Sequence, residues 1–155
     1  MAVQLRTKEQ LHVLMDSEYD GRLYVDADLL LGKEGHVIRS CLLEWKQKKE
    51  ERAVYPVLPL VIRLLDEPYL QQLETELLKD SLWDGMMVRN MESLYYLKEK
   101  GWKKEILADA NLYTWNQWAK SFRLTQSGDH VQAMSLWYMT RRRLLSAVRT
   151  EKFLR

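Results

Sequence analysis

The sequence predicts an α/β fold of about five β–α units with parallel strands. Three observations carry that expectation. Short apolar runs of strand length alternate five times with segments of helical period, and no long linker intervenes. Alternation of this kind implies parallel strands joined by right-handed crossovers. No Gly-rich loop follows any strand, which sets aside a dinucleotide-binding version. At 155 residues the chain is too short for a complete eight-unit barrel, which typically takes ~250. Two architectures remain on these grounds: a (β/α) barrel or part of one, and an open doubly wound sheet.

The elements follow in order. Residues 3–5 are a short apolar strand. Thr7 starts a helix, with Gln10 completing a capping box and Leu11, Leu14 and Met15 as its inward stripe. Gly21 breaks that helix, and Leu23, Tyr24 and Val25 form a second strand ending at Asp26. The second helix covers 34–49, where Val37, Ile38, Cys41, Leu42 and Trp45 keep helical period. Residues 53–58 read as a third strand, in which Pro56 counts against a central position. Asp66 caps a third helix, with Pro68 in its first turn and Leu70, Leu73 and Leu77 facing inward. The fourth strand is 83–88 and the fourth helix 91–100, which Gly101 stops. A fifth strand at 106–108 precedes a helix over 114–122.

Composition narrows the class. Hydrophobic residues make up 46%, with six Trp and eight Tyr, which is the profile of a chain with a core. The net charge of +2 gives no dominant field of one sign. A single cysteine, Cys41, excludes an internal disulfide and a thiolate-rich metal or iron–sulfur site built from this chain alone. No apolar window approaches the ~20 residues of a membrane span, and the first ten residues lack a signal core. The expectation is a cytoplasmic protein without a membrane span.

Polar residues gather where successive strands end, the edge at which parallel α/β folds bind ligands. Arg89 and Asn90 follow the fourth strand; Asp109, Asn111 and Asn116 follow the fifth. Arg63 and Arg89 together suit recognition of a carboxylate or phosphate. Asn90 equally suits a helix N-cap, and Arg89 a pairing with a nearby acid. Asp26 and Asp109 are candidates for acid–base work, or for capping a turn or pairing with an arginine. Asn116 reads as a helix start, with ligand contact as the alternative. His12, His36 and His130 show no ligand spacing, and neither H-E-x-x-H nor G-x-S-x-G occurs. No metal site is expected. Cys41 lies on an apolar helix stripe and reads as a small core hydrophobe.

Several of these segments, in order, resemble the U32 peptidase family, the collagenase-like proteases. Val88-Arg89-Asn90-Met91-Glu92-Ser93-Leu94 is similar to that family's "(L/V)-V-R-N-L-E-x-L", and Asp109 to Asn116 to its "D-x-x-L-Y-x-x-N". Leu58-Pro59-Leu60-Val61-Ile62-Arg63 resembles "L-P-x-I-x-R", Thr7-Lys8-Glu9-Gln10-Leu11 "T-x-E-Q-L", and Leu23-Tyr24-Val25-Asp26 "I-Y-L-D". The match is closest to the later barrel-like region of long members. The resemblance implies a partial, TIM-like (β/α) barrel over 1–123 and a peptidase or hydrolase label. It also implies ligand-binding positions at Arg63, Arg89, Asn90, Asp109 and Asn116. Other members act in oxygen-independent hydroxylation of RNA bases or quinone precursors, some with an iron–sulfur cluster in the full-length protein.

The family's later "E-L-N" strand, "Y-G-x-x-P-x-M" and cysteine cluster do not occur here. In their place residues 124–155 form a divergent basic tail, expected to be an extra C-terminal helix. In it Met134, Trp137, Tyr138, Leu144, Leu145 and Val148 can share a broad helix face, with Arg141, of the run Arg141-Arg142-Arg143, intruding on it. A frameshift or truncated reading frame is the expected origin. The resemblance thus implies a truncated member, catalytically incomplete alone, whose partner is the remainder of a split or multi-domain protein. The alternative is an RNA- or cofactor-binding accessory module. For the tail, the alternatives are RNA, an anionic membrane surface, or docking on the edge of an unfinished sheet.

Overall fold

A computed structural model describes residues 2–61, 67–109, 112 and 131–133. Among the described residues six parallel strands form one sheet in strictly sequential order. They are β1 (Ala2–Leu5), β2 (Arg22–Asp26), β3 (Ala53–Val57), β4 (Gly85–Val88), β5 (Glu105–Ala108) and β6 (Val131–Ala133). The helices are α1 (Lys8–Met15), α2 (Ala27–Leu31), α3 (Gly35–Gln47), α4 (Glu67–Gln72), which runs on into a π-helical turn at Leu73–Leu78, and α5 (Met91–Glu99). A doubly wound sheet reverses its strand order partway. This one does not, so the doubly wound alternative is set aside.

The two faces of the sheet differ. Leu23, Val25, Val54, Met86, Val88 and Ile106 pack into the main core with Leu11, Leu30, Leu42, Trp45, Leu77 and Leu97 of the helical layer. The intervening strand positions, Tyr24, Tyr55, Val57, Met87 and Leu107, form a second cluster to which no described helix contributes. Right-handed crossovers in a sequential sheet place the connecting helices on one side, which is the arrangement of the described helices.

Local signals operate as expected at several ends. Thr7 and Gln10 form the reciprocal capping box of α1. Gly101, at φ 70°, follows α5, and its N–H donates to Lys98 O at 3.0 Å. That left-handed position favours glycine. Pro68 lies in the first turn of α4, while Asp66 falls outside the described residues.

Four expectations need correcting. Pro56 sits in a central strand, opposite Val25 of β2, and is buried. Its neighbours of the same parity face β4: Asp84 N–H donates to Val54 O at 3.0 Å, and Leu58 N–H to Met87 O at 2.9 Å. Pro56 has no N–H to give on that side, and the β3–β4 register shrinks to Val57 opposite Met87. The Asp84 carboxylate compensates by accepting from Val54 N–H at 2.8 Å. Second, Val37 is exposed and Cys41 only half-buried, so the α3 stripe runs through Ile38, Leu42 and Trp45. Third, α2 was not expected, because Ala27–Leu31 is too short to show a period.

Fourth, Val131–Ala133, at the start of the expected tail helix, is a strand that pairs with Ile106, Leu107 and Ala108. An apolar–polar–apolar triplet supplies the ladder partner that the outer side of β5 requires. The rest of the tail, and the helix expected over 114–122, lie outside the described residues.

Candidate functional site

Strand parity decides which side chains meet at the carboxyl edge of the face to which no described helix contributes. Tyr24 of β2 belongs to the second cluster, and Asp26 is two residues on. Met87 and Leu107 belong to it too, and Arg89 and Asp109 continue their parity just beyond β4 and β5. Val88 is paired with Ala108, and Asp109 N–H donates to Val88 O at 2.9 Å. Arg89 and Asp109 are therefore neighbours across the ladder.

The side chains form one network. Arg89 Nε lies 3.3 Å from Asp109 Oδ2, and its terminal Nη2 lies 3.8 Å from Asp26 Oδ1. Asp26 Oδ1 also accepts from Gln4 Nε2 at 2.7 Å, and Arg6 Nε stands 3.7 Å from Asp26 Oδ2. The Arg89 side chain is only 17% exposed, with Asp109 at 19% and Asp26 at 24%. A guanidinium this far out of water needs anionic company, and two carboxylates supply it. Arg89 Nε is nevertheless buried without a hydrogen bond: the Asp109 oxygen is at ion-pair distance but out of line. The charges are matched, while a donor of Arg89 is left unused among the described residues.

Asp26 occupies the N-cap position of α2 yet makes no capping hydrogen bond. Its carboxylate serves Gln4, Arg6 and Arg89 instead. A cap-type residue that does not cap is the local sign that this cluster has another role.

Asn90 does cap. Its Oδ1 accepts from Ser93 N–H at 2.6 Å, and its Nδ2 donates to Leu60 O at 2.6 Å and Pro59 O at 3.5 Å. The side chain ties the segment after β3 to the start of α5, so its polar groups are engaged in structure. The same segment leads toward Arg63, which lies outside the described residues, as do Asn111 and Asn116.

Beneath the charged edge lies an apolar row. Asp26 is register partner of Val57, Val57 of Met87, and Met87 of Leu107. One row lower, Tyr24 and Tyr55 pack at 5.6 Å between ring centroids, and Tyr55 Oη donates to Glu105 Oε2 at 2.7 Å. Burial and the Glu105 carboxylate push the Tyr55 phenol well above its ordinary value. Gly85 makes room for that ring: a Cβ there would stand 2.4 Å from Glu105 O and 2.9 Å from Tyr55 Cε1.

Arg6 and Gln4 escaped the sequence reading. The parity of β1 places Gln4, and Arg6 just past its end, on the face shared with Asp26. A four-residue strand is too short to separate that from an ordinary wet face. His12 and His36 are exposed, on α1 and α3, and Cys41 packs against the main core on the opposite side of the sheet. Among the described residues no group of three His, Cys, Asp or Glu side chains could hold a metal ion. An iron–sulfur cluster does not fit this chain, whose single cysteine is committed to that packing. No described helix is long and apolar enough to cross a membrane.

Comparison with protein-family models, with curated proteins and with solved structures found no match.

Proposed function

We propose that the chain is a partial (β/α)-barrel domain related to the U32 peptidases, and that it binds a ligand without being a complete catalyst. The barrel reading is supported by the sequential parallel sheet, the single helical layer and the inward cluster of Tyr24, Tyr55, Val57, Met87 and Leu107. One observation carries the functional reading. Asp26, Arg89 and Asp109, from three strand ends, converge at the carboxyl edge on the face to which no described helix contributes. Arg89 holds an anionic group of the ligand, a carboxylate or a phosphate, through its guanidinium. Both aspartates lie at ion-pair distance from arginine, which commits their carboxylates to charge pairing. On this reading the peptidase label describes the family's chemistry, and this chain is catalytically incomplete alone.

The test compares wild-type protein with Arg89→Ala. Gelatin and peptide substrates stay uncleaved by both on this reading; cleavage lost in Arg89→Ala would establish an enzyme instead. The alternative, an RNA-binding accessory module, predicts RNA binding that weakens steeply between about 50 and 200 mM salt. That binding would weaken further on substitution of Arg63, Arg89 or Arg141, Arg142 and Arg143.

A further inference from the structure

The described part of the sheet leaves β1 paired only with β2. Along its other edge runs a groove of about 440 Å³ between β1 and α1, lined mainly by Val3, Leu5, Val13, Leu14 and Tyr19. Val13 is 72% exposed, the most exposed large hydrophobic side chain described. Acids border this groove: Glu9 lines it, and Asp16 and Glu18 flank Ser17, which also lines it. None of the three makes an ion pair among the described residues.

We propose that residues 134–148 of this same chain dock in the groove and cover the edge of β1. Three arguments select this occupant. The first is charge. Residues 134–148 carry three basic side chains, Arg141, Arg142 and Arg143, and no acid, and the acid-bordered groove complements them. The second is pattern. Met134, Trp137, Tyr138, Leu145 and Val148 recur at helical spacing, giving a largely apolar face on which Arg141 also stands, where it can meet the acids that border the groove.

The third is size, and it rests on the partial-barrel reading above. Six strands of an eight-stranded barrel leave an opening three inter-strand spacings wide, about 14 Å. A helix with its side chains is about 10–12 Å across, so one helix fills that opening where two strands would otherwise stand. The segment begins directly after β6, the other rim of the opening. Fifteen helical residues extend about 22 Å, longer than the roughly 13 Å of a four-residue strand. A helix at a strand edge also blocks pairing with a second chain.

The experiment uses the full chain with Cys41→Ser and a cysteine pair, Val13→Cys with Leu145→Cys, under mild oxidation. Val13 is exposed, so its substitution leaves the core intact. The expected result is an intramolecular disulfide: a faster-migrating monomer on a non-reducing gel, lost on reduction. The control pair, Val37→Cys with Leu145→Cys, does not give it, because Val37 is exposed on α3. A cross-linked dimer would overturn the proposal in favour of a second copy in the groove, and no cross-link at all would overturn it outright. Spin labels at Ala2 and Gln132 test the barrel reading separately. A rolled sheet holds the labelled backbones about 14 Å apart and a flat one about 24 Å. A 14 Å separation without the disulfide removes the docking and leaves the barrel; about 24 Å removes the barrel.

Discussion

Arg89 Nε and Asp109 Oδ2 lie 3.3 Å apart because Val88 and Ala108 are register partners and the two strands continue in step for one more residue. Arg89 thereby stands between two carboxylates, with Asp26 3.8 Å away on its other side. Removing the guanidinium leaves two half-buried like charges facing each other. Arg89→Met is expected to lower the unfolding free energy by about 2 kcal/mol, less than for a fully buried pair because all three side chains keep some solvent contact. Urea denaturation measures it, and a variant as stable as wild type would show that the network carries no structural weight.

Asn90 performs two tasks that substitutions separate. Asn90→Ala removes the cap of α5 and the donor to Leu60 O, at a cost of about 2 kcal/mol. Asn90→Ser keeps a capping oxygen and loses only the donor, so about half of that loss is expected. Equal losses in the two variants would mean that the tie to Leu60 accounts for all of it.

Gly85 is required by closeness, not by backbone conformation. Gly85→Ala drives a methyl group against the Glu105 backbone and the Tyr55 ring. A loss of about 2–3 kcal/mol is expected, with a change in near-ultraviolet tyrosine circular dichroism as the ring moves. Unchanged spectrum and stability would contradict the packing described.

Tyr55 confers a pH dependence at the alkaline end. Its phenol is held protonated by burial and by Glu105, so its folded value lies above the ordinary 10.0. A raised value favours the proton-bound form in the folded state. That stability is fully present below pH 10 and is lost as pH rises through the folded value. Tyr55→Phe should be less stable than wild type at pH 7 by about 1 kcal/mol, for the lost hydrogen bond. The gap should narrow above pH 10. Unfolding curves at pH 7 and above pH 10 measure this, and a gap that widens with pH would contradict it.

Much of the framework was legible because short-range chemistry specifies it. Thr7 with Gln10, Gly101 after α5, and Asn90 before it each announce a helix end through a bond made within a few residues. The alternation of strands and helices likewise needs only local pattern. Pro56 misled because its position was rescued from a distance, by Asp84, 28 residues on, which supplies an acceptor to Val54. The site was half legible for a similar reason. Arg89 and Asp109 stand out as charged residues after apolar runs. Arg6 and Gln4 join them only through the β1–β2 register, which no short segment encodes. β6 was missed because three residues cannot establish a period, and its pairing with β5 is a tertiary fact.

The account stands on Arg89 as the residue that holds an anionic group. The most direct measurement follows the Arg89 Nε–H resonance, assigned by its loss in Arg89→Lys, during titration with inorganic phosphate, with a short peptide ending in a free carboxylate, and with the same peptide as its amide. The prediction is a saturable shift with phosphate or with the free carboxylate and none with the amide. A resonance that stays in place through all three titrations would contradict the assignment of this edge as a binding site.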